Sequence, residues 1–461
     1  TISNYFKPKN MNASDLIIIG AGPGGYEMAV EAAAKGLTVT IFEENKPGGT
    51  CLNEGCIPTK ALCRNAEVAE TVKRAGEFGV NMSESAWQID MAAVQSRKQE
   101  VVSQLVAGVE GLLSKPGITL VRAHAEFKDA KTVVADGEEY TATNIIIATG
   151  SETRLLPVPG MDLPGVLTSK EMLEIDYVPK HLCVIGAGVI GLEFASIFHR
   201  LGSEVTMVEF AKEILPPFDS DIAKRLKQTL TKSGIAINTS AGVTGVAQSE
   251  GGLTISYEQK GKQMSVEADT VLVAVGRGAR TAGLNLEAAG VEYTRRGITV
   301  DDNMQTNVAG IYAIGDVNAR CMLAHAATFQ GLHALNHILG ETDKIRLDII
   351  PAAVFCQPEA AMVGMTEEQC KEAGIEVKSH KSFFRANGKA LSMGEADGFC
   401  KLIAEKESGK IVGCHLFGAH SADHVQEVAA LMNGNATVGD LAQIVHAHPT
   451  LSEVILAAAR G

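Results

Sequence analysis

The sequence predicts an α/β protein in which one parallel-sheet unit is built twice. Three observations carry that prediction. A strand, a glycine-rich turn, a helix, a second strand and a closing acid follow one another from Asp15 to Glu43, and the same order returns from His181 to Glu209. The internal spacing is the same: Glu43 lies 23 residues after Gly20, and Glu209 lies 23 after Gly186. Each copy is followed by an apolar run ending in glycine, NIIIATG at 144–150 and DTVLVAVG at 269–276, as a closing strand would.

In the first copy, Asp15-Leu-Ile-Ile-Ile19 reads as a short buried strand. Gly20-Ala-Gly22-Pro-Gly-Gly25 follows at once, Tyr26 to Lys35 reads as helix, Gly36 closes it, and Leu37 to Phe42 is the next strand. A lone G-x-G-x-x-G is weak evidence. With strand, helix, strand and acid in order it describes a dinucleotide-binding turn, whose glycines let a pyrophosphate approach the helix N-terminus. Glu43 is placed to accept hydrogen bonds from a ribose.

In the second copy His181 to Ile185 is the strand, Gly186-Ala-Gly188-Val-Ile-Gly191 opens the helix, and Val205 to Val208 ends at Glu209. A glycine turn that serves packing alone does not account for the recurrence. An NADP site would want an Arg near the end of this second strand. Glu209-Phe210-Ala211 stands there and would repel a 2′-phosphate, so the second site is read as one for NAD. Ile311-Tyr-Ala-Ile-Gly315-Asp316 is a third such strand. Its Asp316 is a candidate for a polyol or ribose of the first cofactor, against the plainer reading of a strand-end turn acid.

Size and composition bound the rest. A chain of 461 residues exceeds what one core usually supports, so two to four domains are expected. Hydrophobic residues at 46% and charged residues at 21% are ordinary globular values and argue against extended disorder. The net charge of −13 disfavours nucleic acid and anionic membranes as partners, and no apolar run reaches the length of a bilayer span. Thr1 to Ser14 is polar and is expected to be flexible. Met11 is read as the natural start, with Thr1 to Asn10 an added leader.

The nine cysteines are odd in number, and only Cys51 and Cys56 are closely spaced, which fits a reducing cytoplasm. Neither Cys-x-x-Cys nor His-Glu-x-x-His occurs, so no metal is expected. The close pair sits in Gly48-Gly49-Thr50-Cys51-Leu-Asn-Glu-Gly-Cys56-Ile-Pro-Thr-Lys60, shortly after the first acid. Two thiols beside a redox cofactor can open and close as a disulfide and pass electrons two at a time.

Together the two glycine turns, the Cys51–Lys60 stretch, the Gly315-Asp316 strand and the tail His446-Ala-His448-Pro449-Thr-Leu-Ser-Glu453 resemble the dihydrolipoamide dehydrogenases. These belong to the class I pyridine nucleotide–disulfide oxidoreductases. The resemblance covers nearly all of 15–459. It implies two Rossmann-like domains, for FAD and NAD, and a C-terminal α+β dimerisation domain. The FAD domain is implied to be interrupted by the NAD domain and then to resume. The expected boundaries are a flexible segment 1–14, the FAD domain 15–150, the NAD domain 151–276, the resumed FAD domain 277–348 and the interface domain 349–461.

The implied reaction is oxidation of protein-bound dihydrolipoamide by NAD+. Cys51 is the implied interchange thiol, Cys56 the flavin-side thiol, and His448 the base, supplied across a homodimer interface and oriented by Glu453. Thr450-Leu-Ser-Glu453 also fits a capping box for the last helix, and both roles can hold if different oxygens serve them. His446 is read as a structural neighbour. Lys60 is implied to pair with Glu193 near the flavin, where the plain alternative is a solvated helix residue. Cys63 reads as a buried small residue.

For FAD the implied contacts are Gly20, Gly22, Gly25, Glu43, Gly49, Thr50, Lys60, Ala125, Thr149, Gly150, Asp316, Leu323 and Ala324. For NAD they are Gly186, Gly188, Ile190, Gly191, Glu209, Val243 and Gly276. Implied partners are lipoyl domains of 2-oxo acid dehydrogenase complexes or of the glycine cleavage system. One departure stands out: after Met322-Leu-Ala-His325 the family usually carries Lys and acidic residues, and this chain has Ala326-Ala-Thr-Phe-Gln-Gly331. The alternatives are an NADH-dependent reductase of another small disulfide, and a docking subunit without turnover.

Overall fold

The computed structural model describes residues 12–83 and 86–461. The leader 1–10 and the start at Met11 lie outside the described residues. Contacts divide the chain into two compact units.

The first unit takes the described residues up to Pro58, Arg97–Arg154 and Arg277–Leu347. Its sheet has seven strands in the order Ile118–Val121, Val39–Phe42, Asn12–Ile19, Glu138–Ile147, Thr132–Ala135 and Glu126–Asp129, with Ile311–Ala313 also paired to Glu138–Ile147. The central pairings are parallel, Ile19 lying opposite both Phe42 and Ile147. The isoleucine run is explained by burial on both faces. Leu16 and Ile18 pack with Met28, Ala29 and Ala32 of the helix Pro23–Ala34, while Ile17 and Ile19 pack with Phe127 and Val133 on the other side.

The first strand starts earlier than expected. Asn12, Ala13 and Ser14 pair with Tyr140, Thr141 and Ala142, so the end of the supposed flexible segment is sheet. Asn12 and Ala13 are exposed, which is why their composition does not resemble that of the buried run.

The second unit takes Thr59–Ser96, Leu155–Gly276 and Asp348–Gly461. Its parallel sheet runs Ala236–Asn238, Glu204–Val208, His181–Ile185, Thr270–Val273, Val166–Thr168. An antiparallel meander of Ala241–Ser249, Gly252–Gln259 and Lys262–Ala268 covers one face, packing Val246 and Ile255 on Cys183 and Ile185. The C-terminal segment forms an antiparallel sheet, Ala352–Val354, Glu359–Gly364, Ile411–Gly418, Phe399–Glu405, Val377–Phe383, with helices Ser421–Asn433 and Glu453–Arg460 packed on it.

This grouping differs from the expected boundaries. Residues 59–96, assigned to the first nucleotide domain, group with the second unit. The helix Cys56–Lys73 turns an apolar stripe of Leu62, Cys63, Ala66 and Ala69 into one core with Leu192, Phe194 and Phe198. That core also takes Val354, Phe399 and Phe417, so segments 151–276 and 349–461 share hydrophobic packing. The segment Leu155–Gly276 begins and ends beside one antiparallel ribbon of the first unit, Ser151–Thr153 against Arg277–Ala279.

An ionic cluster around the buried pair Lys401 and Asp219 also joins these segments inside the second unit. Lys401, 1% exposed, donates to Asp219 at 2.9 and 3.1 Å, to Asp221 at 3.0 Å and to Glu367 at 2.5 Å. Burial alone would raise the Asp221 carboxyl, but the Lys381 and Lys401 ammonium groups outweigh it and hold it at about 2. A depressed carboxyl stabilises the fold above its ordinary 3.8, and that contribution fades as pH falls toward 2. Lys401→Met leaves the fully buried Asp219 uncompensated and is expected to cost about 3–5 kcal/mol, seen as a lower urea midpoint. An unchanged midpoint would mean that the cluster is energetically neutral. Among the described residues no helix is long and apolar enough to cross a membrane.

Candidate active site

The two glycine turns are built alike. Gly20 and Gly186 have φ of 104° and 103°, and a Cβ on either would sit 2.4 Å from a carbonyl oxygen of the closing strand's end, Ala148 or Ala274. At Gly25 and Gly191 a Cβ would meet the Gly20 or Gly186 oxygen at 1.8 or 2.1 Å, so only glycine lets the helix seat on the turn.

The middle glycines differ in kind. Gly22 and Gly188 cap the helices Pro23–Ala34 and Val189–Leu201 with ordinary negative φ and no side-chain cap. A Cβ at Gly188 would touch nothing within 4 Å, and at Gly22 only Gly49 Cα at 3.8 Å. The protein itself gives no packing reason for glycine at either place. A pyrophosphate seated on the helix N-terminus does, so both turns fit dinucleotides.

Glu43 and Glu209 each bond backbone N–H groups around their own turn, which the sequence did not reveal. Glu43 accepts from Ala21 N at 2.9 Å and Asn45 N at 2.8 Å. Glu209 accepts from Ala187 N at 2.5 Å and Ala211 N at 2.6 Å. Each acid thus braces its glycine turn while its remaining lone pairs stay available to a ribose. Burial pushes the Glu43 carboxyl up, against the two N–H bonds.

Asp316 lies in the short 3-10 turn Gly315–Asn318. It accepts from Ser151 Oγ at 2.5 Å, and Arg277 Nε donates to that same hydroxyl at 2.8 Å. Burial raises its carboxyl, with Ser151 and Arg277 opposing. Thr149 Oγ1 donates to Arg280 O at 2.7 Å, beside Gly150 at φ 72°. Leu323 caps the helix Ala324–Ile338, which begins at Ala324, and Ala125 is buried just before the strand Glu126–Asp129. In the second unit Ile190 lies in the first turn of its helix, Val243 adjoins a bulge in Ala241–Ser249, and Gly276 follows Thr270–Val273 at φ 109°.

The divergent run Ala326–Gly331 is helical. Gln330 is buried and its Oε1 accepts from Gly315 N at 2.8 Å and Asn318 Nδ2 at 2.9 Å, holding the Asp316 turn. Gly331 passes Met28 where a Cβ would come within 2.5 Å. The departure therefore serves close helix packing and the turn beneath Asp316.

The cysteine segment is docked on the first glycine turn. Gly48 N donates to Ala21 O at 2.8 Å, and Gly49 approaches so closely that a Cβ would lie 2.6 Å from Gly22 Cα. Cys51 lies in the helix Gly49–Glu54, beside Thr50, and Cys56 opens the helix Cys56–Lys73 after the break at Gly55. Both cysteines are partly exposed. Asn53 Nδ2 secures the short helix to Pro47 O and Gly49 O at 3.1 and 3.0 Å.

Lys60 stands one turn after Cys56 and donates to both Glu193 oxygens at 2.9 Å. It is not a solvated helix residue: Glu193 is 3% exposed and also accepts from Phe355 N at 3.0 Å, and the Lys60 ammonium lies 4.6 Å from the Phe355 ring centre. Cys63 is buried, donates to Phe355 O at 3.5 Å, and burial pushes its thiol well up, in keeping with a buried small residue.

At the C-terminal end His448 Nδ1 meets Glu453 Oε1 at 3.0 Å and Oε2 at 3.2 Å. Glu453 Oε2 also accepts from Thr450 N at 2.9 Å, so half of the capping box and the His contact share one carboxylate. The Thr450 N–H, with His448, holds that carboxyl below the usual range. The other half of the box is absent, since Thr450 Oγ1 turns to Ala447 O. The His448 side chain is 78% exposed. His446 differs: its side chain is buried, with Nε2 on Glu427 at 2.8 Å and Nδ1 on Ile444 O at 3.0 Å.

Comparison with known proteins agrees in extent. The pyridine nucleotide-disulphide oxidoreductase family matches residues 14–331, and its dimerisation domain matches 350–459. The chain is 41% identical to a dihydrolipoyl dehydrogenase of Bacillus subtilis (strain 168), covering 95% of this chain and 96% of the relative. It is 41% identical to the mitochondrial dihydrolipoyl dehydrogenase of Pisum sativum, over 97% and 91%. Among solved structures, the HOCl-induced flavoprotein disulfide reductase RclA of Escherichia coli is similar with a TM-score of 0.86 at 30% identity, covering 97% of this chain and 99% of that one.

Proposed function

The chain belongs to the pyridine nucleotide-disulphide oxidoreductase family, and from that premise we propose that it is a dihydrolipoyl dehydrogenase using FAD and NAD. It oxidises protein-bound dihydrolipoamide to lipoamide and reduces NAD+ to NADH. The observation that carries this reading is the docking of the Cys51 helix on the first glycine turn through Gly48 and Gly49.

FAD is assigned to Gly20, Gly22, Gly25, Glu43, Gly49, Thr50, Ala125, Thr149, Gly150, Asp316, Leu323 and Ala324, with Lys60 held ready by Glu193. NAD is assigned to Gly186, Gly188, Ile190, Gly191, Glu209, Val243 and Gly276. What FAD supplies when bound is a two-electron acceptor for the reduced cysteine pair and a donor for NAD+.

The protein's own work is thiol–disulfide exchange and proton handling. One substrate thiol gives its proton to His448 of the partner subunit, and the thiolate attacks Cys51 Sγ of a Cys51–Cys56 disulfide. The S–S bond breaks and leaves Cys56 as thiolate. The second substrate thiol then attacks the substrate sulfur of that mixed disulfide, its proton passing to the departing Cys51 sulfur, which closes lipoamide and releases Cys51 as a thiol. Glu453 fixes the ring so that Nε2 faces the thiol and steadies the imidazolium. The dimerisation domain supports a homodimer, as a base supplied in trans requires. Lipoyl domains of 2-oxo acid dehydrogenase complexes or of the glycine cleavage system are the proposed substrates' carriers, and the cytoplasm the proposed compartment.

The test is direct. The purified flavoprotein should reduce NAD+ with dihydrolipoamide and leave NADP+ largely untouched. A preparation with its full flavin content and no such activity, while reducing another small disulfide with NADH, would sink this reading in favour of the alternative.

A further inference from the structure

Asp316 is held from two sides. Gln330 fixes its backbone turn through Gly315 N and Asn318 Nδ2. Among the described residues its carboxylate accepts from one group, the Ser151 hydroxyl at 2.5 Å. The direction of that bond is forced. A guanidinium has donors and no acceptor, and Arg277 Nε reaches Ser151 Oγ at 2.8 Å, so the hydroxyl accepts there. Its single proton is left for Asp316 Oδ2. The carboxylate is therefore met as an acceptor, and Oδ1 is left for a cofactor hydroxyl.

The same guanidinium ties two strands together. Nη2 donates to Ser151 O at 2.7 Å and Nη1 to Thr153 Oγ1 at 3.4 Å. These bonds lie across the ribbon in which Ser151 pairs with Ala279 and Thr153 with Arg277, and Arg280 N on Gly150 O at 3.0 Å continues it. Burial raises the Asp316 carboxyl, while the Ser151 bond and the Arg277 charge oppose the rise. Cys321, whose thiol feels Asp316, is pushed up to about 11, chiefly by burial, and stays neutral at physiological pH.

We propose that Arg277 and Ser151 form a positioning relay: they hold Asp316 as the acceptor for a cofactor polyol hydroxyl, so that FAD binding and closure of the Ser151–Thr153/Arg277–Ala279 ribbon are linked. The inference rests on the reading of the first turn as the FAD site. Linkage is reciprocal, so whatever the closed ribbon adds to FAD affinity, bound FAD adds to the stability of the ribbon.

The experiment strips the full chain of flavin and reloads it with FAD, following flavin fluorescence across pH and amide exchange of the ribbon. Ser151→Ala should bind FAD roughly tenfold more weakly at neutral pH, as for a lost bond to a charged group. The deficit should grow as pH falls from about 8 to about 5.5, because the unopposed carboxyl takes up a proton. Ser151→Thr keeps the hydroxyl and should restore both the affinity and its pH profile. In the parent, FAD should slow exchange in both ribbon strands. In Ser151→Ala, saturating FAD should slow it far less. Unaltered FAD affinity, a deficit equal at every pH, or a parent ribbon that exchanges alike with and without FAD would overturn the relay. A parent that takes up no FAD overturns the FAD-site reading instead.

Discussion

Cys51→Ser and Cys56→Ser are each expected to lower dihydrolipoamide-dependent NAD+ reduction by roughly 10³-fold or more. A serine oxygen cannot form the disulfide, so the substrate thiolate has no sulfur to attack and no thiolate to displace. The two variants should fail differently. Cys51→Ser keeps the thiolate assigned to the flavin and should keep the long-wavelength absorption that appears on reduction. Cys56→Ser should lose that band. Both should still oxidise NADH with a dye, since the second glycine turn is untouched. Activity within tenfold of the parent in either variant would end the disulfide mechanism, and a band retained in Cys56→Ser would reverse the two assignments.

His448→Gln should slow the dithiol half-reaction by roughly 10²–10⁴-fold, the usual contribution of a positioned general base. Glutamine can keep a hydrogen bond to Glu453 but cannot take a proton from a thiol. The loss should therefore shrink as pH rises toward the substrate thiol's own ionisation, where no base is needed. NADH oxidation by a dye should change little. Equal losses in the two half-reactions would place His448 outside thiol chemistry. His446 offers an internal control: both its ring nitrogens are already engaged, by Glu427 and by the Ile444 carbonyl.

The glycine turns were legible because each glycine answers a steric demand. Gly25 and Gly191 must be bare where the helix meets the Gly20 or Gly186 carbonyl, and the equal 23-residue offsets follow from two equal units. The buried strands were legible where both faces are covered, as at Leu16–Ile19, and illegible where they are not, as at Asn12–Ser14. The short polar strands Glu126–Asp129 and Lys262–Ala268 carry no apolar run and went unread. The pair of Lys60 with Glu193 spans 133 residues, so only resemblance proposed it. Backbone-bonded roles are the least visible of all. Neither the bracing of Ala21 and Ala187 by the two acids nor the hold of Gln330 on the Asp316 turn leaves a pattern in composition or spacing.

The strand Ile311–Ala313 reaches its neighbour only after a long interval of chain, for Ile145 pairs with Ile311, 166 residues on. At ribosomal rates of roughly 5–20 residues per second, Ile145–Ile147 wait about ten to thirty seconds with one edge unpaired. During that time the whole of Leu155–Gly276 emerges, entering and leaving through adjoining strands that keep its ends together. The inserted segment thus emerges with its two ends held together while the older sheet stands open. The arrival of Ile311–Ala313, rather than completion of the first glycine turn, sets the moment at which the apolar edge is sealed against association with other nascent chains.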